Sequence, residues 1–195
     1  MKKIILLLCL CLTACMRQDF YHLDTFNENG ILQAVVEIPA GTNLKIEYNK
    51  ELKQFLPDQK EGKDRSINFI GYPGNYGFIP STLSDPEKGG DGDALDVLVL
   101  SESLPTATVI NIIPIAVLKL IDKGDQDYKI IAVPANRDER TIDTETYQSF
   151  ATNFKGAKKI IELWFVNYDT DQLIIEGWGD EQEAISEIKK LIESK

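Results

Sequence analysis

The sequence predicts an α+β domain, mainly β, in which a small antiparallel barrel is followed by C-terminal helices. Three observations predict it. Strand-like runs fill residues 31–134, helical spacing is confined to the last third, and the apolar runs 109–121 and 130–134 are joined by a short polar loop as in a hairpin. The 195 residues suffice for one domain with a real core. A composition of 43% hydrophobic and 27% charged residues is that of a globular fold. A formal net charge of −10, with no basic run or stripe, argues against nucleic acid as a partner.

The first residues form a separate unit. Lys2 and Lys3 precede the apolar run 4–12, a basic n-region and an h-region too short to span a bilayer. The run ends in Leu12-Thr13-Ala14-Cys15, which resembles the lipobox of bacterial lipoproteins. That resemblance implies removal of residues 1–14 as a lipoprotein signal peptide, lipidation of Cys15, and an exported protein anchored to a membrane of the bacterial cell envelope. Cys9, Cys11 and Cys15 all lie here, so the domain is expected to carry no disulfide. Loss of Lys2 and Lys3 takes the charge to about −12. Residues 15–30 are expected to be the lipidated cysteine and a polar tether, and residues 31–195 the domain.

Residues 31–38 are β-rich and stopped by Pro39-Ala40-Gly41. In 44–48 the alternation puts Lys45 and Glu47 on one face, with Leu44, Ile46 and Tyr48 on the other. Residues 50–64 are charged and loop-like. Tyr72-Pro73-Gly74-Asn75-Tyr76-Gly77-Phe78-Ile79-Pro80 suits a tight turn that aims the phenols of Tyr72 and Tyr76 either into packing or into a shared cleft. The run 109–121 is expected to be a strand interrupted at Pro114. Residues 144–154 and 157–168 show helical spacing, 173–178 a strand, and 180–193 a final helix with Asp180 as N-cap and Glu183 three residues on.

The stretch with most chemical content is Gly89-Gly90-Asp91-Gly92-Asp93-Ala94-Leu95-Asp96, which runs into the aliphatic segment 97–100. Carboxylates this close repel one another, and hard divalent cations take oxygen ligands of this kind. An acidic surface turn before a buried strand accounts for the triplet equally well. Asp91 and Asp93 share one face of an extended segment whereas Asp96 faces away. The glycines permit the bend that would let all three converge.

Four stretches break the tie: Val36-Glu37-Ile38-Pro39-Ala40, the Tyr72 to Pro80 segment, Asp91-Gly92-Asp93-Ala94-Leu95-Asp96, and the hairpin from Asp122 to Pro134, with Glu176-Gly177-Trp178 near the end. Together, in order over about residues 31–190, they resemble the soluble family I inorganic pyrophosphatases. That resemblance implies an OB-like five-stranded barrel with flanking helices, and Mg²⁺-dependent hydrolysis of inorganic pyrophosphate to two phosphates. It also implies that Asp91, Asp96 and Asp127 hold one metal, with Asp96 shared by a second. Asp93 is then the general base for the attacking water, Asp122 and Asp127 hold a metal arriving with substrate, and Glu47 holds a further one, with Glu37 behind them. Lys45, Arg65, Lys129, Tyr76 and Tyr168 would contact phosphate oxygens, and Tyr72 would line the cleft. Bacterial relatives often assemble as homo-oligomers.

The charges are consistent with that chemistry. Glu47, Asp91, Asp93, Asp96, Asp122 and Asp127 face only Lys45, Arg65 and Lys129. With pyrophosphate added, the site lacks about seven positive charges, which roughly three or four Mg²⁺ would supply. One departure stands out. The family usually has a phosphate-binding lysine after the tyrosine equivalent to Tyr168; here the residue is Asp169. An anion there is expected to weaken phosphate binding. A lipid-anchored metal- and phosphate-binding module with little catalysis is therefore the alternative reading. An EF-hand count on Asp91, Asp93 and Glu102 fails, because Asp96 stands where the loop needs glycine.

Overall fold

The structure, a computed structural model, describes residues 17–169 and 173–192. The signal-peptide reading and Cys15 lie outside the described residues. In chain order the strands are β1 (Gln33–Ile38), β2 (Ile46–Asn49), β3 (Gln54–Pro57), β4 (Gln59–Lys60), β5 (Lys63–Asp64), β6 (Asn75–Phe78), β7 (Asp96–Val99), β8 (Val109–Asp122), β9 (Asp125–Gln126) and β10 (Lys129–Pro134). They are followed by α1 (Tyr147–Asn153), α2 (Lys155–Asn167), β11 (Leu173–Gly179) and α3 (Glu181–Leu191). Among the described residues no helix is long and apolar enough to cross a membrane.

The barrel closes on five strands. β1 pairs with β6, β6 with β7, β7 with β10, β10 with β8, and β8 returns to β1 through Gln33↔Asn111 and Val35↔Val109. Four of these pairings are antiparallel, and β7–β10 is parallel. The parallel pair arises because the hairpin from β8 returns β10 into the gap between β7 and β8. β8 is long enough to serve a third neighbour, β11, at its far end.

Pro114 does not interrupt β8. It pairs with Ala132 beside an irregularity that leaves Ile115 as the extra residue between Ala116↔Ile131 and Pro114↔Ala132. A proline at such a step sacrifices little, since the ladder is already broken there. The 50–64 stretch, expected as loop, supplies β3, which pairs with β2, and the short hairpin β4–β5. β3, β4 and β5 have only two to four residues each, too short to carry a legible apolar alternation.

Side-chain alternation divides the apolar residues between two faces of the barrel wall. Val97, Val99, Ile130 and Ala132 face a set closed by Ala184 and Ile188 of α3. Leu98, Leu100, Ile131 and Val133 face the opposite set, closed by Phe150 of α1 and by Ile161, Trp164 and Phe165 of α2. Asp96 and Lys129, the first residues of β7 and β10, are in phase with this second set. The chain is also closely stacked at Gly77, where an added Cβ would run into the Val35 carbonyl oxygen.

Residues 20–26 do not behave as a tether. Tyr21 and Thr25 are buried. The Tyr21 carbonyl accepts from Ser81 N–H at 2.8 Å and its hydroxyl donates to Thr82 O at 2.9 Å, while Thr25 Oγ1 donates to Pro80 O at 2.9 Å. Phe20 meets Tyr48 and Phe55 edge-on, with centroids 5.8 and 5.1 Å away. The stretch is polar on average, but its aromatic residues have a hydrophobic site to fill.

Candidate active site

The strand ends on the second face open into a cleft of about 290 Å³, at the small end of the range for ligand pockets and suited to a compact ion. Of the residues assigned to the site from the sequence, all but Arg65 line it: Glu37 from β1, Lys45 and Glu47 at β2, Tyr72 and Tyr76 at β6, Asp91 and Asp93 from the loop before β7, Asp96 from β7, Asp122 from β8, Asp127 and Lys129 at β10, and Tyr168 from the end of α2.

Backbone pairing brings them together. The parallel register sets Lys129 opposite Asp96. The acidic loop turns at Gly89 (φ +86°) and Gly92 (φ +90°), values that glycine adopts without strain. Its shape is held by Gly92 N–H to Ser84 O at 2.8 Å, Ser84 N–H to Asp93 O at 2.8 Å, and Asp93 N–H to Asp91 Oδ1 at 2.9 Å. Gln126 N–H donates to Gly89 O at 2.8 Å, tying this loop to the β8–β10 hairpin that carries Asp127.

Lys129 is only 5% exposed and bonds both Asp96 and Asp127. Burial opposes its charge, but the two carboxylates outweigh that and raise its pKa well above the ordinary lysine value. Asp127 is raised by burial, against the lowering influence of Lys129. Asp91 is raised by burial and by the neighbouring Asp96, Asp127 and Asp93. Glu37 is pushed up to about 8, first by burial, although it accepts Tyr48 N–H at 2.7 Å. Tyr168 is raised to about 12 by burial. The second face continues as an aromatic wall: Tyr72 lies 4.5 Å from Trp164, which stacks on Tyr168 at 4.6 Å and 4°. Trp164 Nε1 is pinned to Ile70 O at 2.9 Å.

The oxygen-only donor set fits hard divalent cations, and one atom asks for a partner: Asp122 Oδ1 is buried without a hydrogen bond. Among the described residues, no three acidic side chains are yet drawn to the spacing of ligands on one ion. The Lys129 ammonium stands between two of them, Asp96 and Asp127.

Arg65 departs from its expected place. Its NH1 bonds Asp58 Oδ2 at 3.0 Å and its NH2 bonds Asp169, and it is absent from the cleft lining. Asp58 also lies 3.8 Å from Lys45, whose nearer partner is Glu47 at 2.6 Å. Sequence reasoning missed Asp58, and it missed Lys50, Asp125 and Tyr21 in the cleft wall. Lys50 and Asp58 sat in an apparently solvated charged stretch, and Tyr21 in an apparent linker.

Comparison with known proteins agrees with this geometry. A family model described as inorganic pyrophosphatase matches residues 34–195. The chain belongs to the inorganic pyrophosphatase family. It is similar to the inorganic pyrophosphatase of Neisseria meningitidis serogroup A, with 39% identity over 182 residues covering 90% of this chain and 96% of the relative. It is similar to that of Haemophilus influenzae at 37% identity, covering 84% and 88%. Among solved structures, the inorganic pyrophosphatase of Neisseria gonorrhoeae superimposes with a TM-score of 0.73 at 35% identity, covering 89% of this chain and 97% of that one. The Thermus thermophilus inorganic pyrophosphatase gives 0.76 at 28%, covering 90% and 97%.

Glu37 makes stability depend on pH in a defined direction. The unfolded carboxyl ionises near 4.5 and the folded one only near 8, so the stability contributed by its neutral form is complete below 4.5 and lost as pH rises through 8. Glu37→Gln retains an acceptor for Tyr48 N–H. In metal-free urea titrations at about pH 5 and about pH 9 it is expected to remove a few kcal/mol of the pH-dependent loss. Identical pH dependence in both proteins would refute the assignment.

Proposed function

We propose that this chain hydrolyses inorganic pyrophosphate to two phosphates in this cleft, with Mg²⁺ held by Asp91, Asp96, Asp122 and Asp127 and a further ion at Glu47. The observation that carries the reading is the convergence on one cleft of the five aspartates with Lys45 and Lys129, in a chain of this family. Bound Mg²⁺ supplies the missing positive charge and a water of lowered pKa.

The chain's own residues do the rest. Asp93, whose side chain is 77% exposed at the cleft mouth, accepts the proton of the attacking water. The water oxygen bonds one phosphorus as the bridging P–O bond breaks, and the departing phosphate keeps that electron pair. Lys45 and Lys129 offset the charge on the phosphate oxygens, and the phenols of Tyr76 and Tyr168 donate to them. Burial raises both phenols, so they stay protonated donors throughout the working pH range. The aromatic wall keeps these groups in fixed positions, which matters because phosphoryl transfer depends on placement more than on covalent help.

Phosphate release by the full-length protein is expected to require Mg²⁺, to stop with EDTA, and to fall by about 10²–10⁴ in Asp93→Asn. Equal release by wild type and Asp93→Asn would sink the mechanism. Metal and phosphate binding without release from either would favour the binding-module alternative.

Asp169 adds an anion beside the phosphate-binding surface and occupies one edge of the Arg65 guanidinium. Asp169→Asn removes the negative charge while keeping an acceptor for Arg65, and is expected to lower KM for pyrophosphate severalfold with kcat little changed. An unchanged KM would show that neither Asp169 nor Arg65 meets the substrate's charge.

The lipobox resemblance supports an envelope location, with the protein held by a lipid on Cys15. Cys15→Ser is expected to abolish fatty-acid labelling and release the protein from membranes; persistent labelling would refute the anchor.

A further inference from the structure

The acidic loop has a support that the reaction as described leaves unused. Lys50, just after β2, extends its ammonium to 4.3 Å from the centroid of the Tyr21 ring. There it lies 3.4 Å from Gly92 O and 3.5 Å from Asp93 Oδ1. The Gly92 carbonyl and the Asp93 N–H belong to one peptide, and that N–H donates to Asp91 Oδ1 at 2.9 Å. Lys50 thus holds one end of a peptide whose other end orients Asp91, and it touches the Asp93 carboxylate as well.

A surface ion pair usually contributes little, because two long side chains must be ordered to make it. Lys50 differs in having a fixed perch. The Tyr21 ring is buried, and its hydroxyl donates to Thr82 O at 2.9 Å. Thr82 Oγ1 accepts Leu95 N–H at 2.9 Å, and Ser84 N–H donates to Asp93 O at 2.8 Å, so the 82–84 turn anchors ring and loop alike. A lysine over an aromatic face, with both partners preset, loses less freedom when it makes its contacts. Tyr21 also lies upstream of the residues that the family model matches.

We propose that Lys50, seated on Tyr21, is a positioning residue: it fixes the peptide between Gly92 and Asp93 and aims the Asp93 carboxylate, making the N-terminal segment part of the working site. This rests on the reading of Asp93 as the general base.

The test compares kcat and KM for pyrophosphate in the full-length protein, at saturating Mg²⁺, for wild type, Lys50→Met, Lys50→Arg, Tyr21→Leu and Tyr21→Phe. Lys50→Met is expected to lose about tenfold in kcat, part of what a placed base contributes, with KM shifted less than about twofold. Lys50→Arg restores most of that loss. Tyr21→Leu repeats the Lys50→Met loss, whereas Tyr21→Phe, which keeps the ring but loses its bond to Thr82 O, loses less in kcat and melts at a lower temperature. A folded Lys50→Met with wild-type kcat, or with a change confined to KM, overturns the inference. Should Tyr21→Leu fail to fold, the Lys50 pair decides alone. Absence of hydrolysis by wild type overturns the functional reading and this inference together, whereas normal wild-type hydrolysis with an indifferent Lys50 overturns only the latter.

Discussion

An ammonium buried between two carboxylates sets the terms for this cleft. Lys129 pairs with both Asp96 and Asp127, and the two contacts define the floor on which the other acids converge. Such a cluster is a poor source of stability, since its charges are largely withdrawn from water. Its worth lies in preorganisation: the cation is fixed by the barrel, and the remaining acidity awaits divalent ions.

Much of the fold was legible in the sequence because it depended on short-range rules, whereas the roles of Asp96, Asp127 and Lys129 came from the family resemblance. The strand runs, the C-terminal helices and the Asp180 cap follow from periodicity and capping chemistry. The glycines around Asp91 and Asp93 announced a turn, and Gly92 adopts the positive φ that makes it. What stayed hidden was long-range. The parallel placement of β10 beside β7 is a property of ring closure, which no local window contains. Arg65 was assigned to phosphate, yet its guanidinium meets Asp169, 104 residues away. Tyr21 and Lys50 looked solvated because composition averages over a stretch, whereas burial is decided side chain by side chain.

The charged groups around the cleft also form a graded series. Lys129 is locked, Lys45 is shared by Glu47 and Asp58, and Arg65 is held at the margin by Asp58 and Asp169. Lys129 is the most buried of the three, its side chain 6% exposed against 24% for Lys45 and 22% for Arg65.

The parallel pairing of Lys129 with Asp96 has a consequence for the lengths that this chain can tolerate. Two charges that meet through strand register are measured off by counting residues. One insertion within β7 or β10 would turn Asp96 or Lys129 to the other face of the wall and set an aliphatic neighbour in its place. The connections at 100–108 and 135–146 lie outside that register, although both are tied back to the barrel, by Ala107 N–H to Val36 O at 2.8 Å and Ala135 N–H to Asn111 O at 2.9 Å. Over evolutionary time, insertions and deletions should therefore spare β7 and β10, the few residues on which the count depends.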